Sequence, residues 1–71
     1  MRRQHVKSSV FKSVGYNPDN KVLELEFIDS GSIWQYHSFP PSAYEKFIHS
    51  ESLGHVFSTE IRNKYPEVQV A

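Results

Sequence analysis

The chain has 71 residues, no cysteine, and eight acidic against eight basic side chains. That length allows one domain near the lower limit for a self-sufficient apolar core, with no disulfide or thiolate metal site to reinforce it. A formal net charge of zero excludes the footprint of a protein held on nucleic acid chiefly through phosphates, for which a pI above about 9 is expected.

Stability must come from packing, and one Trp, four Tyr and five Phe are the means. Each large ring removes roughly 150–250 Å² from water. No apolar run approaches the roughly 18 residues of a membrane span. Met1-Arg2-Arg3-Gln4-His5 carries no apolar segment after it and does not read as a signal peptide. Absence of Cys agrees with a reducing compartment, and the expectation is a soluble, cytoplasmic protein with its ordered part near residues 7–65.

Residues 1–6 read as loose. Arg2, Arg3, Lys7 and Lys12 all precede the first acidic residue, Asp19. Two readings fit this arm: a solvated terminus, or a local contact with phosphate or an acidic partner. Residues 8–16 are rich in β-branched and aromatic types and predict a first strand. Asn17-Pro18-Asp19-Asn20 is a turn, with Pro18 fixing φ and the Asn and Asp side chains free to bond nearby amides.

Residues 21–28 alternate. Leu23, Leu25 and Phe27 share one face, Glu24 and Glu26 the other, as in a half-buried antiparallel strand. Ser30-Gly31 closes a hairpin to a strand near 32–37. An even loop sets Phe27 opposite Trp34 and Leu25 opposite Tyr36, which puts both rings on the apolar face. The same logic pairs Val14 with Leu23 but strands Phe11 on the polar face, so a bulge near residues 12–13 is expected.

Helical spacing begins after Pro40, with Tyr44, Phe47 and Ile48 on one stripe. Two start signals compete: Pro41 suits the first helical position, and Ser42 with Glu45 fits a capping box. The helix should span about 41–50. A second, about 54–64, has Leu53, Phe57, Ile61 and Tyr65 at four-residue spacing and pairs Glu60 with Lys64. Pro66 stops it and the tail 67–71 reads as frayed. The fold class is α+β: a three-stranded antiparallel meander with two C-terminal helices packed on one face. The expected core is Phe11, Val14, Leu23, Leu25, Phe27, Tyr36, Phe39, Tyr44, Phe47, Phe57, Ile61 and Tyr65.

Ser8-Ser9, Val14-Gly15-Tyr16, Leu23-x-Leu25-x-Phe27, Gly31, Trp34-x-Tyr36, Phe39-Pro40, Tyr44, Ser52-x-Gly54, Phe57, Ile61-Arg62 and Tyr65 fall in the order and spacing of the KTSC domain. The resemblance covers about residues 6–65. Trp34 replaces the usual first Tyr of the central pair, and Ser58 stands where Asn is common. The family is named for its place at the C-terminus of some lysyl-tRNA synthetases and also occurs as a small stand-alone bacterial or phage protein. It implies no established activity. RNA binding has been suggested for it through the synthetase association.

Trp34 and Tyr36 have two readings: a stacking platform for unpaired bases, or core beneath the helices. Register favours core. An RNA surface would draw on Arg2, Arg3, Lys7, Arg62 and Lys64. Arg62 also fits a salt bridge or a cap over the aromatic core. His5, His37, His49 and His55 show no metal-ligand spacing, so no metal and no cofactor is expected. Ser8, Ser9, Ser52 and Ser58 lack a nucleophile context, and Ser52 reads as a cap. The sequence therefore predicts a non-catalytic binding module. RNA is the partner the resemblance suggests, and docking onto a larger protein is the alternative.

Overall fold

In a computed structural model describing residues 1–71, the Leu23/Leu25/Phe27 alternation builds the middle strand of a five-stranded antiparallel sheet. The strands are β1 (Gln4–His5), β2 (Phe11–Asn17), β3 (Val22–Phe27), β4 (Ile33–Tyr36) and β5 (Glu67–Gln69), in spatial order β1-β2-β3-β4-β5. The expected three strands are the central three. The count is corrected because the segments read as loose and frayed both pair onto the sheet. β1 joins β2 with Gln4 opposite Val14 and His5 opposite Ser13. β5 joins β4 with Glu67 opposite Tyr36 and Gln69 opposite Trp34.

The two central hairpins keep the predicted faces but slip by two residues. Val14 lies opposite Leu25, Leu23 opposite Tyr36 and Leu25 opposite Trp34. A two-residue slip preserves which side chains share a face, because the strand period is two. The turn chemistry explains the first offset. Asn17 Oδ1 accepts from the Asp19 and Asn20 amides at 3.0 and 3.2 Å, and Lys21 takes a left-handed φ of 56°. Asn17 therefore stays in the ladder opposite Val22. The bulge falls between Phe11 and Ser13 as expected, and Phe11 is fully buried.

α1 spans Pro41–Ile48 with Pro41 at its first position and no side-chain cap, so the proline signal wins over the capping box. α2 (Leu53–Val56) is capped by Ser52, whose side chain accepts from the His55 amide. It continues as a π-helical turn, Phe57–Ile61, closed by the Arg62 amide on the Phe57 carbonyl at 2.8 Å. The predicted helix to residue 64 is corrected here. Arg62 turns extended and Asn63 takes a φ of 63°, a conformation Asn tolerates better than most residues. Lys64 then lies beyond the helix, and Glu60 pairs instead with Lys46 of α1 at 2.8 Å. Both partners are exposed, so that pair contributes only about 0–1 kcal/mol.

The helices cover one sheet face. Phe11, Val14, Leu23, Leu25 and Tyr36 from the strands meet Phe39, Phe47, Leu53, Phe57 and Ile61 in one core. Phe11 sits among three rings, with centroids 5.1 Å from Phe27, 6.0 Å from Phe47 and 5.4 Å from Phe57. Leu53 joins the core although the expected set omits it, while Phe27, Tyr44 and Tyr65 lie at its margin. No helix is long and apolar enough to cross a membrane.

Candidate functional site

Gly15 decides how β1 docks. A Cβ there would lie 2.8 Å from the Arg2 carbonyl and 2.9 Å from Arg3 Cγ. Real Cβ atoms do not approach so closely, so only glycine lets the N-terminal segment cross at this height. Arg3 then reaches over the helix-free face. Its Nε donates to Ser13 Oγ at 2.9 Å and its Nη1 pairs with Glu24. Ser13 in turn donates to Glu26 at 2.7 Å, and Gln35 Nε2 donates to Glu24 Oε1 at 2.9 Å. This ladder accounts for the burial of Glu24 and Ser13 on a face that no helix covers.

Burial alone would raise the Glu24 pKa. Hydrogen bonds from Gln35 and Arg3, with the guanidinium charge, outweigh it and hold the carboxyl below its ordinary value. A depressed carboxylate stabilises the fold above its unfolded pKa, near 4.5, and that contribution is lost as pH falls through the lower folded value. Acid unfolding should therefore steepen below about pH 4.5 in the wild type and flatten in Glu24→Gln, read by circular dichroism against pH. Equal pH dependence in the two proteins would contradict this account of the ladder.

Arg3 is thus committed to Glu24, while Arg2 and Lys7 are exposed on the β1 side of the sheet. Arg62 and Lys64 are exposed in the turn entering β5, at the opposite edge. The basic residues named from the sequence therefore fall into two separate groups. Tyr36 is buried, and Trp34 is half-buried opposite Leu25, packed against the core. Together they present no open stacking face on the sheet. Burial, then the Glu67 carboxylate, push the Tyr36 pKa up to about 12 against the opposing charge of Arg62. No three His, Asp or Glu side chains converge on a common point.

An open cleft does form between β1 and α1. It encloses about 210 Å³ and is lined by Arg2, Gln4, Val14, Gly15, Tyr16 and Tyr44. Val14 and Tyr16 of β2 form the floor, Tyr44 of α1 one wall, and β1 the other. Tyr16 and Tyr44 stack with centroids 4.5 Å apart and planes 8° from parallel. The Tyr16 hydroxyl donates to the Phe39 carbonyl at 2.5 Å, which fixes the pair. Burial raises both phenol pKa values, and Glu45 adds to the rise at Tyr44, so both remain neutral donors at physiological pH. The cleft thus combines one exposed guanidinium, an amide and immobilised rings. Of its lining only Arg2 was named from the sequence as a site residue. Gln4, Tyr16 and Tyr44 were missed because nothing in their spacing shows that β1 folds back beside Tyr16. A second cavity, about 50 Å³ between Phe39, Ala43, Val56, Ile61 and Tyr65, has room for little more than a water.

Comparison with known proteins agrees with this architecture. The crystal structure of a KTSC domain protein from Yersinia pestis superposes with a TM-score of 0.93 at 36% sequence identity, over 99% of this chain and 97% of that one. A Stutzerimonas stutzeri (strain A1501) protein described as uncharacterized is 36% identical over 58 residues, 82% of this chain and 80% of that protein. A lysine–tRNA ligase from Nostoc punctiforme is 34% identical over 65 residues, which are 92% of this chain but 11% of the ligase. The model of the KTSC domain matches residues 7–65. With the sheet, the helices and that match in agreement, the chain belongs to the KTSC domain family.

Proposed function

We propose that this chain is a non-catalytic binding module that takes single-stranded RNA in the cleft between β1 and α1. The observation that carries this reading is the cleft itself, where Arg2 stands beside the stacked Tyr16–Tyr44 pair in a space of about 210 Å³. Aromatic walls with a neighbouring guanidinium suit an unpaired base and its phosphate, because every base has a face to stack and every linkage a charge to pair. Lys12 in β2 and Lys7, just past β1, add positive charge to this part of the chain, and no acidic residue occurs before Asp19. Likeness to part of a lysine–tRNA ligase supports an RNA partner. The same reading places the module in the cytoplasm.

With only two or three cations near the strand, log K should fall against log salt with a slope of about −2. Fluorescence anisotropy with a short labelled single-stranded RNA tests the site. Arg2→Ala should reduce that slope by about 0.7, and Tyr44→Ala should weaken binding by about 1–3 kcal/mol at every salt concentration. Binding that is insensitive to both substitutions would remove the cleft from the account. Wild-type protein that binds no RNA at low salt would remove RNA.

A further inference from the structure

The outer edge of β5 carries backbone groups that no strand of this chain pairs. In the β4–β5 pair, the His37 amide bonds the Pro66 carbonyl at 2.8 Å, and the Val70 amide bonds the Ile33 carbonyl at 2.8 Å. Hydrogen-bonded pairs alternate along an antiparallel ladder. Pro66, Val68 and Val70 therefore turn their backbone groups toward β4. Glu67 and Gln69, opposite Tyr36 and Trp34, turn theirs outward. Neither residue appears in any turn or loop backbone bond. Natural sheets blunt such edges or use them. The proline at 66 blunts nothing here, since its missing N–H faces inward.

We propose that β5 pairs antiparallel with β5 of a second copy, joining two five-stranded sheets across a two-fold axis at Val68. In that register Glu67 and Gln69 of one copy lie opposite Gln69 and Glu67 of the other. The two cross-strand pairs supply four backbone hydrogen bonds from the four outward residues. Side-chain chemistry disfavours the neighbouring register centred on Glu67. A two-fold centred on Glu67 would set carboxylate against carboxylate, which is destabilising across a ladder. Centred on Val68, each carboxylate accepts from a Gln amide. Val68 and Val70 are 46% and 48% exposed, among the few large apolar side chains left in water. They share the helix-free face, because Val68 lies opposite Gln35. The two-fold brings Val68 against its own counterpart, as a closed isologous contact requires, and sets each Val70 opposite Pro66 of the other copy.

The surface is independent of the RNA reading. β1 and its cleft lie at the other edge of the sheet, so a dimer leaves both clefts open on its outer ends. A three-residue edge is a small contact, at the weak end of specific interfaces, and a dissociation constant of about 0.1–1 mM is expected.

Sedimentation equilibrium of the full chain from about 10 µM to 1 mM tests the proposal. The wild type should pass from monomer toward dimer across that range. Gln69→Glu sets like charges opposite each other twice and should weaken association about tenfold. The exchanged double variant, Glu67→Gln with Gln69→Glu, restores each complementary pair and should return the constant to within about twofold of wild type. All three chains should keep the same circular dichroism spectrum. Wild type that stays monomeric at about 1 mM overturns the proposal. So does a dimer indifferent to Gln69→Glu, or one that the exchange fails to restore.

Discussion

Phe11→Ala is expected to lower the unfolding free energy by about 3–5 kcal/mol, the usual cost of emptying a buried aromatic site. A chain of 71 residues has roughly 4–11 kcal/mol in total, so the variant should lose about a quarter or more of its stability. Phe11 is fully buried and touches rings from β3, α1 and the π-helical turn. Its loss therefore opens the contact where sheet and helices meet. The domain has no cysteine with which to offset that loss. Phe11→Leu retains most of the volume and should cost less than half as much. Urea denaturation followed by far-ultraviolet circular dichroism reads both. A Phe11→Ala loss below about 1 kcal/mol would show that the core is not organised around this ring.

Gly15→Val should detach β1 without unfolding the rest. The added side chain starts from a Cβ that already meets the Arg2 carbonyl at 2.8 Å, and a backbone atom has little freedom to yield. Overpacking of this kind costs about 1–3 kcal/mol. β1 can avoid that cost by leaving the sheet, since it contributes only Gln4–His5 to the ladder. Arg3 then leaves Glu24, one wall of the cleft is lost, and the depression of the Glu24 pKa shrinks. Hydrogen exchange should show amides of residues 2–6 losing protection while β3 retains it. Arg2-dependent RNA affinity should fall in the same variant. Uniform loss of protection across the sheet would mean that Gly15 serves the core and not the docking of β1.

The central architecture was legible because it rests on signals carried by side chains. Alternation at Leu23, Leu25 and Phe27 marks a half-buried strand wherever it occurs. Pro41, Ser52 and Asn17 act through local chemistry, and each does what its type predicts. The Phe11 bulge followed from the demand to bury a ring. Pairing register was less legible, since a slip of two leaves every face unchanged and the pattern has no preference between them. The edge strands were illegible for another reason. β1 and β5 have two and three residues, all exposed. They hold by backbone hydrogen bonds to β2 and β4, which any sequence without an obstructing proline can make. The second helix stopped short because Asn63 turns left-handed, and Glu60 found Lys46 on another element.

The candidate site follows the same division. Arg2 was one of five basic residues named from the sequence, Tyr44 was expected in the core and Tyr16 only in the first strand, and both rings pack at the core's margin. Their second role, as floor and wall of the cleft, exists only once β1 returns along β2. Arg3 looked equivalent to Arg2 and is not, because Glu24 claims it across Gly15.

The most direct measurement is an NMR titration of the isotopically labelled chain with a short single-stranded RNA, at low and at physiological salt. Resonances of Arg2, Gln4, Tyr16 and Tyr44 should move together at low salt, and less at the same RNA concentration when salt is raised. Spectra that stay unchanged at low salt, or that move only near Arg62, Lys64 and β5, would contradict the assignment of the cleft.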